Sequence, residues 1–123
     1  MKFVQEDITG RYAIRAYGPG TLTINDTVYQ RSVVIMPERI IEDWQPQSFD
    51  QLTAEHVLAL IKLDPEILLL GTGATLRFLP AELTGRLAEQ GIGIEIMDTA
   101  AACRTYNILV SEGRQVAAAL LMI

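Results

Sequence analysis

Apolar and polar positions alternate through much of the first half of the chain. Over residues 11–17, Tyr12, Ile14 and Ala16 fall on one face, the pattern of a half-buried strand. Gly18-Pro19-Gly20 is a turn signal, residues 21–24 resume the alternation, and Asn25-Asp26 turns the chain again before Val28 and Tyr29. A β-branched run over residues 32–36 closes at Pro37, and Ile40 and Ile41 lead on to Trp44. These segments predict hairpins or a meander, paired antiparallel.

The second half alternates helical and strand patterns. Thr53 is placed to cap a helix over residues 54–63 with Val57, Leu58, Leu60 and Ile61 on its apolar face; Asp64-Pro65 ends it. Residues 67–70 are wholly apolar and stop at Gly71, as expected of a strand covered on both faces. Pro80 suits the first turn of a helix running to Gln90, with Leu83 and Leu87 inward. Ile92, Ile94 and Ile96 mark a second strand, Asp98 caps a helix running to Glu112, and residues 116–122 form the last strand. Strand–helix–strand units of this spacing favour parallel pairing with right-handed crossovers. The prediction is one α/β domain over residues 1–123: a mixed central sheet with helices on its faces and additional N-terminal hairpin strands.

Composition narrows the function classes. The chain has 123 residues, 50% hydrophobic and 20% charged, enough apolar content for a self-supporting core. The formal net charge of −5 disfavours sequence-independent nucleic-acid binding, which depends on Lys and Arg meeting phosphates. A single cysteine, Cys103, and a single histidine, His56, make neither an intrachain disulfide nor a Cys/His zinc site. The longest apolar run, residues 116–123, falls short of the roughly 20 residues a membrane helix needs. Residues 1–7 turn acidic at once, unlike a signal peptide. The expectation is a soluble cytoplasmic protein without metal or cofactor.

Candidate chemistry gathers where ligands of open α/β sheets gather, outside the carboxyl ends of parallel strands. Two loops fall there: Gly71-Thr72-Gly73-Ala74-Thr75 and Met97-Asp98-Thr99-Ala100. Backbone N–H groups at the two glycines could hold an anion. Leu76 occupies the place of the third glycine of a dinucleotide fingerprint, and no Gly-Lys-Ser/Thr ending marks a phosphate loop. Asp98 reads first as a helix cap, second as a base. Arg104 could bind an anion or pair with a carboxylate such as Glu95, beside Thr105, Tyr106 and Asn107. Cys103 reads as a buried, inert thiol and His56 as a surface residue. Trp44 either closes the core or marks a partner surface.

The stretches Leu68-Leu69-Leu70-Gly71-Thr72-Gly73, Phe78-Leu79-Pro80, residues 91–109 (beginning Gly91-Ile92-Gly93-Ile94-Glu95) and residues 112–120 (beginning Glu112-Gly113-Arg114) resemble the Mth-like α/β domain family. That family includes many bacterial proteins, an adipogenesis-associated protein of animals and a mitochondrial assembly factor for respiratory complex I. The resemblance implies a compact α/β domain with a mixed sheet, no established reaction, and, for the mitochondrial branch, a protein partner in membrane-complex assembly. Two functional readings follow. The first is a non-catalytic interaction or assembly protein acting on a protein partner or on itself, through an edge strand or an apolar patch near Trp44. The second is a small-molecule or anion site, with or without a reaction, between the 71–75 and 98–99 loops. There Arg104 would hold the anion, the hydroxyls of Thr72, Thr99 and Thr105 would orient it, and Asp98 would be the nearby base.

Overall fold

The structure is a computed structural model and describes residues 11–123; residues 1–7, read above as an acidic start, lie outside the described residues. Among the described residues eight strands divide into two sheets. A three-stranded antiparallel sheet holds β1 (Ile14–Gly18), β2 (Thr21–Ile24) and β3 (Thr27–Tyr29) in that order. The other strands are β4 (Val33–Met36), β5 (Arg39–Ile41), β6 (Ile67–Gly71), β7 (Gly93–Met97) and β8 (Val116–Leu120), arranged β5-β4-β8-β6-β7. β6 runs parallel to both β7 and β8, whereas β4 pairs antiparallel with β8 and β5. The sheet is therefore mixed, and the expected N-terminal hairpins split: one joins the central sheet and the rest form a sheet of their own.

Both faces of the central sheet are covered, which explains why β6 and β8 read as unbroken apolar runs. Leu69, Val116, Ala118 and Leu120 point to one side. There they meet helix α3 (Thr99–Ser111) and the inward residues Leu22 and Ile24 of the small sheet. Leu68, Leu70, Ala117, Ala119 and Leu121 point to the other side and meet Trp44 and Leu60. Val57 from α1 (Ala54–Ala59) and Leu83 and Leu87 from α2 (Ala81–Glu89) form the cluster beside it. Cutting any one of the leucines on β6 back to alanine would cost about 2–5 kcal/mol through lost burial and the cavity left behind.

Two elements depart from the pattern. The first strand starts at Ile14 rather than Arg11, and Ala16 is exposed instead of sharing the inward face of Ile14. A register shift between Ile14 and Ala16 is the cause: Ile14 opposes Ile24, but Ala16 opposes Thr23, and the extra residue inverts the face. The helix expected over residues 54–63 is α-helical only to Ala59 and tightens into a 3-10 turn over Leu60–Leu63. Asp64 then turns left-handed at φ 54° and its N–H donates to Ile61 O at 2.9 Å, so the chain closes early on the apolar side chains it must bury.

Candidate functional site

The parallel register of β6 and β7 pairs Gly71 with Met97 and delivers the two loops to one rim of the sheet, side by side. Their contact is backbone to backbone at first: Thr72 N–H donates to Met97 O at 2.9 Å, and Thr99 N–H to Gly73 O at 3.0 Å. The hydroxyl of Thr99, 1% exposed, completes it. That oxygen accepts the Gly73 N–H at 2.8 Å and donates to Leu121 O at 2.6 Å, tying the β6 loop, the start of α3 and the end of β8 together. Gly71 is required by the closeness. A Cβ there would stand 2.9 Å from Thr99 Oγ1 and 3.0 Å from both Thr99 Cα and Leu120 Cδ2. Gly73 takes φ 100°, which a side chain would oppose.

Thr72 closes the other side. Its hydroxyl donates to Thr75 O at 2.7 Å and accepts Arg77 N–H at 3.2 Å. The Thr75 side chain lies on an exposed residue. Asp98 caps α3, accepting Ala101 N–H at 2.8 Å. The two loops expected to flank a ligand are thus brought together. The Gly73 N–H is taken by the Thr99 hydroxyl, and the hydroxyls of Thr72 and Thr99 are taken by backbone carbonyls, with all three residues buried.

Arg104 does not pair with Glu95. It projects from α3 on the side facing the small sheet and donates to Tyr17 Oη at 2.8 Å, a bond that raises its pKa. The pairing is unlike the expected one because a helix places residue 104 toward β1, away from β7. Thr105 is half-buried. Tyr106 is fully buried, its hydroxyl donating to Tyr12 O at 2.9 Å, and burial drives its pKa up. Asn107 brackets β1: its Nδ2 donates to Ile14 O at 2.8 Å while its Oδ1 accepts Ile14 N–H at 3.0 Å. Cys103 is 1% exposed, and burial pushes its thiol pKa up to about 12 despite the Arg104 charge beside it. Trp44 is 8% exposed and packs in the core cluster with Leu60, Leu68 and Leu70. It packs edge-on against His56, ring centroids 6.4 Å apart. Half-buried His56 accepts the Thr53 N–H at 3.0 Å, completing a capping box at the start of α1. Among the described residues no three His, Cys, Asp or Glu side chains come together as a metal site.

The feature that sequence reasoning missed lies on the α2 side of the sheet. Phe78 is 72% exposed and Leu76 46%. Phe78, Leu79 and Pro80 line a groove of about 350 Å³ with Phe49, Leu52 and Leu83. Arg77 lies over the Phe49 ring at 4.5 Å and reaches Asp50 at 3.4 Å. Phe78-Leu79-Pro80 entered the sequence reading only as part of the family resemblance, and its exposure is what separates it from core.

Fold and rim together define a small α/β domain with a mixed central sheet, a second antiparallel sheet and a hydrogen-bonded rim. The chain belongs to the family described as protein of unknown function (DUF498/DUF598), whose model matches residues 14–121. A crystal structure of a protein from Bordetella parapertussis is similar over 94% of this chain and 98% of that one, at TM-score 0.86 and 38% identity. A solution structure from Bordetella pertussis, described as a Mth938-like domain, is similar at TM-score 0.83 and 32% identity, covering 98% and 92%. Among sequence relatives, NADH dehydrogenase [ubiquinone] 1 alpha subcomplex assembly factor 3 of Danio rerio is 33% identical, over 98% of this chain and 70% of its own length. A protein of Francisella tularensis called 13 kDa major membrane protein is 28% identical, over 94% and 95%. No helix among the described residues is long and apolar enough to cross a membrane.

Proposed function

We propose that this chain is a non-catalytic interaction protein that assists assembly of a membrane-associated complex, working from the cytoplasm without inserting. The observation that carries the reading is a contrast between two parts of the molecule. The polar groups at the rim are satisfied within the rim and by nearby backbone, while Phe78, the most exposed aromatic side chain among the described residues, stands over an open apolar groove. An aromatic anchor beside an apolar groove is the composition of a protein interface rather than of a reaction centre. The relative named as an assembly factor for the NADH dehydrogenase alpha subcomplex supports taking subunits of a respiratory membrane complex as the partner class.

The test is quantitative affinity capture from detergent-solubilised membranes of cells producing the tagged chain, wild type against Phe78→Asp. The reading expects respiratory-complex subunits enriched with the wild type and reduced at least about tenfold with the variant, since truncated interface anchors commonly cost more than 1.4 kcal/mol. Equal recovery by both chains, or none above an untagged control, would refute it.

A further inference from the structure

We propose that β7 is a self-association edge: two copies of this chain pair antiparallel through β7, joining their central sheets. This surface is separate from the Phe78 groove, so either can fail without the other.

Among the described residues four strands sit at sheet edges, and three are protected in recognisable ways. β3 and β5 are three residues long, and β5 begins with Arg39. β1 carries the bulge at Ile14/Ala16 and an exposed Arg15. Short length, bulges and basic residues all blunt an edge against pairing. β7 is neither short nor bulged and carries no basic residue; its one charge is the exposed Glu95. It runs five residues, Gly-Ile-Glu-Ile-Met, in unbroken register with β6.

The backbone direction is fixed. The Met97 carbonyl faces β6, since it accepts the Thr72 N–H. Alternation along the strand then turns the N–H and C=O of Ile94 and Ile96 toward the open side. Ile92 N–H is taken by Leu87 O, which leaves its carbonyl for an incoming strand.

A second copy fits this edge in one register better than in its neighbour. Pairing centred on Glu95 would set Glu95 against its own copy, two like charges at the closest cross-strand distance. Moving the centre to Ile94 sets Ile94 against its copy and Ile96 against Ile92. The Ile94 pair exchanges two hydrogen bonds, and each Ile96 N–H meets the carbonyl of the opposite Ile92. In that register Glu95 lies opposite Gly93 of the other copy. Gly93 is exposed and has nothing within 4 Å of where a Cβ would stand, so the carboxylate has room and no like charge facing it.

The geometry supplies a test whose two arms have opposite signs. Gly93 can take a side chain without disturbing the monomer, and in the dimer that side chain would face Glu95 twice by symmetry. Sedimentation equilibrium of the purified chain from about 5 to 500 µM, spanning ordinary weak-to-moderate dimer affinities, reads the association constant. Circular dichroism and thermal melting verify that each variant is folded. We expect the wild type to associate to twice its 13.6 kDa mass. Gly93→Lys should tighten association and Gly93→Glu weaken it, by about tenfold each for two facing pairs. Gly93→Glu combined with Glu95→Lys should restore it. A wild type that stays monomeric throughout the range overturns the proposal. So does a dimer in which the Lys and Glu variants shift association in the same direction or not at all, since it would use another face. If only a heterologous strand from a captured partner proves sensitive to Gly93, the second-copy occupant is likewise refuted.

Discussion

Replacing Thr99 with valine keeps the shape of the side chain and removes its oxygen. The Gly73 N–H and the Leu121 C=O would then be buried without partners, at a cost of roughly 2–4 kcal/mol. Urea unfolding of Thr99→Val should show that loss as a lower midpoint with an unchanged slope. Nothing in the sequence near Thr99 announces these bonds, because their partners lie 26 and 22 residues away. The Asp98 cap, by contrast, was legible, being satisfied three residues on. Arg104 belongs to the exposed side, and Arg104→Met should leave stability within about 0.5 kcal/mol of wild type. With the rim hydroxyls already engaged, millimolar anionic metabolites should raise the melting temperature of neither chain by more than about 1 °C, whereas binding at 100 times Kd would add about 2.7 kcal/mol. Cys103 gives a pH dependence. Burial raises its thiol pKa from 9.0 to about 12 in the folded protein, so the folded state holds this proton more tightly than the unfolded chain. Its contribution to stability is complete below about pH 9 and is lost as pH rises toward about 12. Across that window the wild type should lose stability more steeply than Cys103→Ala, as read by denaturant titration at several pH values.

At the scale of elements, β6 and β8 were readable because both faces are buried and the whole strand is apolar. α2 was readable from Pro80 and its inward leucines, and α3 from its Asp98 cap. β1 was misjudged in register because only one side is covered, so a bulge costs little there and leaves no mark on the composition. The division of the hairpins between two sheets was also invisible: it depends on α3 rather than on strand patterning. Asn107 acts as a piece of a β-strand mounted on a helix, giving Ile14 both a donor and an acceptor. Removing it in Asn107→Ala should cost about 1–3 kcal/mol for the two backbone groups left over. It should also raise amide hydrogen exchange at Ile14 well before exchange rises in β6 or β8. Equal protection at Ile14 in wild type and variant would show that packing alone holds the small sheet on α3.

The whole molecule divides its labour between closed polarity and open apolar surface. Its sequence carried the mixed sheet and the family resemblance, but the functional surface was sought at the rim and near Trp44. The rim drew attention through its glycines and threonines. Those residues are there because two strand ends and a helix start approach within hydrogen-bonding distance, a requirement that uses the same residue types as an anion loop. Trp44 is consumed by the core. Phe78 gave no periodic signal to distinguish it from a buried aromatic, and only the course of the loop before α2 exposes it. The account rests on that surface, and site-specific photo-crosslinking in living cells tests it most directly. A photoreactive residue at position 78 is compared with one at position 108, where Ile108 is 56% exposed on the opposite helix layer. The account predicts a discrete adduct with a respiratory-complex subunit from position 78 and none from position 108. Adducts absent from position 78, or equal from both positions, would contradict it.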